Sequence, residues 1–171
     1  IPATIPPEMR RSERADAAVD ESPVIDETAT VTAAEYRALL ASVGWQAFPA
    51  GDEPLDAALA KTWNLTARTP DGGRLIGLAR VLDDGLIYAS IWDVIVAPDW
   101  RRRGIARTLA TRIMDRLRER RLVALVATPA GDALYRSLGF AEASGGSRAL
   151  FLRSGPAAPL AAPDAPSTPT G

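Results

Sequence analysis

A strand-like segment that runs into a turn, followed by a long helix, is the feature that most constrains the fold of this chain. Residues 86–96 are apolar enough for a buried strand, Pro98 breaks that strand, and residues 103–120 carry apolar side chains at a helical period. The residues of this apolar stripe are Ile105, Leu109, Ile113, Met114 and Leu117. A helix with one apolar face has to bury that face, and a sheet that contains the neighbouring strand can cover it. The segment therefore predicts a mixed α/β domain.

The chain before this segment predicts two helices and an antiparallel meander. Thr32 and Glu35 have the spacing of a capping box, which predicts a helix that begins there and ends at Gly44. A short second helix is expected at residues 54–61. Asp- and Gly-rich hairpin turns then separate three expected strands. These strands are residues 63–68, 75–82 and 86–96, and the turns are residues 71–73 and 83–85.

The chain after the long helix predicts a strand, a helix and a last strand. Residues 122–127 form a short continuous apolar run, which is typical of a buried strand. Residues 130–138 are expected to form a helix that Gly139 ends, and the last strand is expected around Phe151. The fold class predicted is α/β (α+β), with a central mixed sheet flanked by helices.

The two ends of the 171-residue chain differ in composition from its middle. Residues 1–23 are rich in Pro, Ala and charge without a sustained period, which predicts a flexible arm. Residues 154–171 are rich in Pro and Ala and predict a disordered tail. The folded domain is therefore expected at residues 24–153. Because no run of 18 apolar residues exists, no membrane helix and no membrane partner are expected.

The chain contains neither Cys nor His. The absence of Cys excludes thiol nucleophiles, disulfides and Cys-based zinc sites. The absence of His excludes catalytic triads built on His and the ordinary His metal sites, so no metal is expected. Acid–base chemistry in this chain must therefore use Asp, Glu, Tyr, Lys, the backbone or water.

Positive charge is concentrated in one part of a nearly neutral chain. The formal net charge is −1, but residues 101–121 hold nine Arg against only Asp115 and Glu119. This concentration predicts an anionic partner. One alternative is a nucleic-acid surface at residues 116–121, but the two acids interrupt it and few aromatic residues lie nearby to stack bases. A solvated helix face is a second alternative, and no nucleic-acid partner is expected.

The turn at residues 101–106 favours binding of a phosphate. The first turn of a helix presents unpaired N–H groups and the positive end of the helix dipole. A phosphate there accepts several backbone hydrogen bonds at once. Gly104 and Ala106 keep the backbone accessible, and the cluster Arg101, Arg102, Arg103 and Arg107 adds positive charge. The turn has neither the P-loop nor the dinucleotide-binding pattern.

Two motifs resemble those of the GNAT superfamily of N-acetyltransferases. The family's acetyl-CoA motif, [R/Q]-x-x-G-x-[G/A] after a strand ending V-x-P, is matched by residues 96–98 and 101–106. Its second motif, a Tyr followed by L-G-F, is matched by residues 135–140. The resemblance implies a mostly antiparallel mixed sheet with a splayed pair of strands that holds acetyl-CoA. Residues 75–80 and 91–96 resemble the plastid and cyanobacterial branch, which includes plant serotonin N-acetyltransferases. That implies a plastid location, with a cytoplasmic one as the alternative.

The resemblance assigns roles to particular residues. Tyr135 matches the family Tyr that protonates the coenzyme A sulfur, and Thr128 lies near a position that often contacts the coenzyme. The backbone of β-strand residues 94–96 would pair with the pantetheine arm. The coenzyme-binding set it implies is Val94, Ile95, Val96, Arg102, Arg103, Gly104, Ile105, Ala106, Arg107, Thr128 and Tyr135.

Asp93 is the candidate for a general base or an amine-binding group. By strand alternation Ile91, Asp93 and Ile95 share one face, and a carboxylate between two Ile is unusual unless it faces a cleft. Trp92 would then lie on the opposite face and pack in the core. An Asp at the edge of the strand, in solvent, is the alternative.

The sequence therefore predicts an acetyl-CoA-dependent N-acetyltransferase that acts by direct transfer in a ternary complex. The acceptor is a primary amine, which could be a small arylalkylamine, a protein lysine or a protein N-terminus. The alternative is a catalytically idle GNAT-like domain that binds an acyl-CoA or a protein. Thr128 and Pro129 stand where plant relatives place an acidic residue. The family often forms dimers, so a homodimer is open.

Overall fold

The computed structural model describes residues 22–46, 49–143 and Ala149. These residues form five strands and four α-helices. The strands are β1 (Val24–Asp26), β2 (Trp63–Arg68), β3 (Leu75–Asp83), β4 (Tyr88–Val96) and β5 (Leu122–Leu125). The helices are α1 (Ala33–Ser42), α2 (Asp52–Ala60), α3 (Ile105–Leu117) and α4 (Pro129–Ser137). The predicted tail, the expected strand around Phe151 and almost all of the predicted arm lie outside the described residues.

The described strands form one mixed sheet in the order β1-β2-β3-β4-β5. The first three pairings are antiparallel, whereas β4 and β5 are parallel. The β4–β5 pairing runs from Tyr88 with Leu122 to Ile91 with Leu125 and stops there, although β4 continues to Val96. The two strands therefore separate beyond Ile91. This agrees with the splayed pair of strands that the family resemblance implies.

Helices cover both faces of the sheet. The apolar stripe of α3 is buried except for Met114, which is partly buried, and Ile105 at its start lies against Gly77 of β3. A Cβ at Gly77 would come within 3.1 Å of the Ala67 side chain and 3.2 Å of the Ile105 side chain. This glycine therefore allows the start of α3 to approach the sheet closely. On the other face Tyr36 of α1 contacts Arg80 of β3.

The predicted start of α1 is confirmed by its hydrogen bonds. The Thr32 backbone N–H donates to Glu35 Oε2 at 2.9 Å, and the Glu35 N–H donates to Thr32 Oγ1 at 3.3 Å. The main difference among the elements is β1, which was not predicted. It has only three residues, and its formation depends on pairing with β2 some 40 residues further along the chain rather than on a local pattern.

The middle of β4 contains a bulge that the sequence analysis did not predict. Leu78 of β3 pairs with Ile95, but Arg80 pairs with Trp92, so two β4 residues lie opposite one β3 residue. Because Leu78 and Arg80 share a face, Trp92 and Ile95 also share that face, and Ile91 lies on the other. The prediction that Ile91, Asp93 and Ile95 share one face is therefore wrong. Trp92 is 42% exposed rather than packed in the core.

The far end of α3 is attached to the sheet by a two-point ion pair. Arg120 Nε lies 2.7 Å from Asp83 Oδ1, and Arg120 Nη2 lies 2.9 Å from Asp83 Oδ2. The hydrogen bonds from Arg120 lower the pKa of Asp83 below its ordinary value of 3.8. A carboxyl group with a lowered pKa contributes stability that is fully present above its ordinary pKa of 3.8 and is lost as the pH falls from there through its lowered folded-state pKa.

Replacing Asp83 with Asn is therefore expected to lower the free energy of unfolding at neutral pH. The difference from the wild type should shrink as the pH falls below 3.8 and through the lowered pKa of folded Asp83, because protonation of Asp83 then removes the charge that the variant lacks. Urea unfolding at several pH values measures this. Asp115→Asn, at an exposed position of α3, is the control. An Asp83→Asn deficit that is the same at all pH values would contradict the prediction.

Candidate active site

The turn before α3 presents a row of free backbone donors. A single 3₁₀ turn (Pro98–Trp100) leads into it, and both Arg102 (φ 63°) and Gly104 (φ 79°) lie in the left-handed region. None of the six N–H groups of residues 102–107 donates a hydrogen bond to a described residue. They lie at the positive end of the α3 dipole. The turn can therefore bind an anionic group through several hydrogen bonds at once.

Gly104 is favoured at this turn by its backbone conformation. A Cβ at this position would meet no protein atom within 4 Å, so protein packing does not exclude a larger residue. The left-handed φ disfavours one, because it costs an L-residue with a Cβ roughly 1–2 kcal/mol, a cost that Arg102 bears in the same turn. The space beside Gly104 is open, whereas the neighbouring Ile105 is buried.

Three of the four arginines around the turn have defined contacts. The Arg103 guanidinium lies 4.4 Å from the centroid of the Trp100 ring, and Arg101 Nε donates to the Val96 carbonyl at 3.3 Å. Arg107 Nη1 lies 3.4 Å from Ser137 Oγ, which joins the start of α3 to the end of α4. These contacts hold positive charge around the free N–H groups.

Tyr135 lies on α4 with its ring buried and its hydroxyl free. The residue is 9% exposed, and its ring meets that of Phe140 edge-on at a centroid distance of 6.0 Å. Burial raises the pKa of Tyr135 above its ordinary value of 10.0. Its hydroxyl has no hydrogen-bond partner among the described residues. The group therefore stays protonated at neutral pH and has a proton to donate.

Thr128 lies directly before the same helix. It is the N-cap of α4, and its side chain makes no capping hydrogen bond. Its carbonyl accepts from the N–H groups of Gly131 and Asp132. The exposed hydroxyl of Thr128 is thus free for another partner.

Asp93 lies at the bulge of β4 and is held by two side chains that the sequence analysis missed. Tyr36 Oη donates to Asp93 Oδ2 at 2.9 Å, and Arg80 Nη1 donates to the same oxygen at 2.8 Å. Burial, and then the negative charge of Asp93, raises the pKa of Tyr36 to about 12. The one available signal was Arg80 itself, because it is a lone charge within the apolar segment 75–82. Tyr36 fitted its helix as an ordinary core residue.

A cavity of about 190 Å³ lies beside the bulge. Its lining residues are Thr62, Arg80, Leu82, Trp92 and Asp93. It combines the apolar side chains of Leu82 and Trp92 with the ion pair of Arg80 and Asp93. A larger cavity of about 500 Å³ lies at the other end of the β4–β5 pair and includes none of the predicted site residues.

Replacing Gly131 with Ala is expected to lower turnover through Tyr135. A Cβ at Gly131 would lie 2.9 Å from Tyr135 Cε2, so the ring has to move. A misplacement of about 1 Å can cost on the order of 100-fold in rate, and we expect the loss in kcat to be about tenfold or more. Steady-state kinetics measures it. The control is Gly51→Ala at the start of α2, where the nearest contact is an ordinary 3.7 Å. Equal kcat values for the two variants would contradict the prediction.

Neither a metal cluster nor a membrane helix is found in the described part of the chain. Within residues 22–46 and 49–143 no three Asp or Glu side chains are grouped so as to hold a metal ion. Across the same ranges no helix is both long and apolar enough to span a bilayer.

Comparison with known proteins identifies the family. The family model described as "Acetyltransferase (GNAT) family" matches residues 34–140. The chain therefore belongs to the GNAT acetyltransferase family and is an N-acetyltransferase.

Relatives of known sequence lie in the branch that the motifs resemble. An uncharacterized ycf52-like N-acetyltransferase of Prochlorococcus marinus is 32% identical over 134 residues, which is 75% of this chain and 73% of the relative. Serotonin N-acetyltransferase 2, chloroplastic, of rice is 35% identical over 81 residues, which is 46% of this chain but only 40% of the rice protein. The resemblance to the plastid branch is confirmed.

Solved structures share the fold. A probable acetyltransferase of meticillin-resistant Staphylococcus aureus superposes with a TM-score of 0.66 at 24% identity, over 77% of this chain and 99% of that one. A putative acetyltransferase of Deinococcus radiodurans gives 0.56 at 27% identity, over 80% and 90% of the two chains. The predicted fold class is confirmed.

Proposed function

We propose that this protein transfers an acetyl group from acetyl-CoA directly to a primary amine. The observation that carries the proposal is the row of six free N–H groups at residues 102–107, which fits the pyrophosphate of a coenzyme A ester. The nearby arginines supply the charge that such a group needs. Gly104 leaves the approach to these donors open.

The separation of β4 from β5 supports a place for the pantetheine arm. Beyond Ile91 the edge of β4 has no β5 partner, and residues 94–96 follow there. Their backbone groups are proposed to pair with the amides of the arm. An N–H of this strand would then be the donor that stabilises the oxyanion formed from the thioester carbonyl.

Direct transfer requires a neutral amine and an acid for the leaving thiolate. The amine nitrogen attacks the thioester carbon, the C–S bond breaks, and the nitrogen loses one proton while the sulfur gains one. Tyr135 is proposed to donate the proton to sulfur, because its hydroxyl is free and protonated. A covalent enzyme intermediate is not part of the proposal, because the chain contains neither Cys nor His.

Asp93 is proposed to bind the acceptor amine or, through water, to take its proton. It lines the small cavity, and its side chain is 22% exposed. Oδ2 already accepts two hydrogen bonds, whereas Oδ1 has no partner among the described residues. That free oxygen is available to an ammonium group or to a water molecule.

Two measurements test the proposed function. Acetyl-CoA should raise the melting temperature of the purified protein, because a ligand that binds only the folded state stabilises it. Thiol release should then be measured with a panel of arylalkylamines, linear amines and peptides with free lysine or a free N-terminus. A melting temperature that does not change with acetyl-CoA would contradict the proposal.

The second candidate is a GNAT-like domain that binds an acyl-CoA or a protein without turnover of amines. The feature that favours it is Thr128 and Pro129, because the resemblance to plant relatives implies an acidic residue shortly after the strand that precedes them. Stabilisation by acetyl-CoA without thiol release from any member of the panel would select this candidate.

A plastid location is proposed as well. It is supported by relatives whose names include "chloroplastic", from rice and from Arabidopsis thaliana. Fluorescence of a tagged full-length protein in its native cells would test it, and a cytoplasmic signal would support the alternative.

A further inference from the structure

Three side chains from three elements are joined at the bulge of β4. Tyr36 comes from α1, Arg80 from β3 and Asp93 from β4. Both Tyr36 Oη and Arg80 Nη1 bind Asp93 Oδ2, at 2.9 and 2.8 Å. Arg80 also lies over the Tyr36 ring, 5.4 Å from its centroid, with Nη1 3.4 Å from Oη. We call these three residues the bulge cluster.

The bulge cluster contains a residue with a left-handed backbone conformation. Asp93 has φ 50°, in the left-handed region. Such a conformation is uncommon for residues other than Gly, and it persists only where the surrounding structure enforces it. Here Asp93 lies in the bulge between β3 and β4, and its Oδ2 accepts two hydrogen bonds. Because Tyr36 and Arg80 are themselves largely buried, the anchor is rigid.

The place of the bulge cluster distinguishes it from an ordinary ion pair. The bulge begins at Asp93, two residues after Ile91, where the pairing of β4 with β5 ends. Arg80 and Asp93 also form part of the wall of the 190 Å³ cavity. Bulges next to active sites often direct a side chain. Here the side chain at the bulge is that of Asp93, and its Oδ1 has no partner among the described residues.

We propose that Tyr36 and Arg80 are positioning residues for acetyl transfer, which hold Oδ2 of Asp93 so that Oδ1 receives the acceptor amine. This inference rests on the proposed function. Neither residue needs to touch the acceptor. Their effect on the reaction passes through Asp93 and through the shape of the bulge.

The test compares conservative variants with a matched structural control. Tyr36→Phe and Arg80→Lys remove hydrogen bonds to Asp93 but keep the ring or the charge. Arg68→Lys is the control. Like Arg80, Arg68 pairs with a carboxylate, that of Glu35 on α1 at 2.6 Å, and its side chain is similarly buried. It lies away from the bulge. Each variant is assayed for acceptor kcat and KM, for acetyl-CoA affinity and for melting temperature.

The expected result is a loss of about tenfold in kcat/KM for the amine in Tyr36→Phe and Arg80→Lys. Acetyl-CoA affinity should stay close to that of the wild type, because the coenzyme turn is not changed. Arg68→Lys should keep its kcat/KM even if its melting temperature falls as far. If all three variants lose stability alone, with kcat/KM unchanged, the inference is overturned.

A double-mutant cycle tests whether Tyr36 acts through Asp93. Asp93→Gly removes the carboxylate, and glycine adopts the left-handed φ of this position readily. Adding Tyr36→Phe to Asp93→Gly should then cost no further activity, because the group that Tyr36 positions is gone. An additive loss would overturn the inference while leaving the proposed function intact. A wild type that binds acetyl-CoA but releases no thiol with any amine would overturn both.

Discussion

Replacing Tyr135 with Phe is expected to lower kcat by about 10²–10⁴-fold. The exchange removes only the hydroxyl, and that hydroxyl has no partner among the described residues. The ring would keep its edge-on contact with Phe140, so α4 should not move. Acetyl-CoA affinity and melting temperature should therefore stay close to those of the wild type. Steady-state kinetics measures kcat, and calorimetry measures the affinity and the melting temperature.

The pH dependence of the wild type provides a second check on Tyr135. Because burial raises its pKa above 10.0, the acid stays protonated throughout the neutral range. A loss of kcat through deprotonation of Tyr135 should therefore appear only above pH 10.

Tyr88→Phe is the matched control for Tyr135→Phe, because Tyr88 is exposed and lies outside the proposed coenzyme site. A Tyr135→Phe variant with wild-type kcat would assign the acid role to another group or to water.

The parts of the site that the sequence predicted are those built from adjacent residues. Gly104 and the start of α3 belong to one short segment, so their arrangement follows from local backbone rules. The capping box of α1 is equally local. The same holds for Tyr135, because a motif of six residues marks the end of its helix.

The parts that the sequence did not predict depend on contacts between distant segments. A regular strand was the natural expectation for residues 86–96, and only pairing with β3 shows the extra residue at Asp93. That single insertion moves Trp92 and Ile95 onto the same face. Tyr36 reaches Asp93 across 57 residues of sequence, and no local pattern indicates such a contact.

Replacing Gly104 with Ala is expected to weaken acetyl-CoA binding by about tenfold or more. The added Cβ meets no protein atom, so the change acts on the left-handed backbone and on the space in front of the free N–H groups. Loss of one hydrogen bond to a charged group costs about 1.5–3 kcal/mol, and 1.4 kcal/mol is about tenfold in affinity. Isothermal titration with coenzyme A measures the change.

The control for Gly104→Ala has to carry the same backbone strain elsewhere. Gly72 meets this need, because its φ is 74° against 79° at Gly104, and a Cβ at either position meets nothing within 4 Å. Gly72→Ala should therefore lose a similar amount of stability, roughly 1–2 kcal/mol, and keep its affinity for coenzyme A. If both variants lose stability and neither loses affinity, residues 102–107 are not the pyrophosphate site. If only Gly104→Ala loses affinity, the free N–H groups bind the coenzyme, because strain alone has been matched.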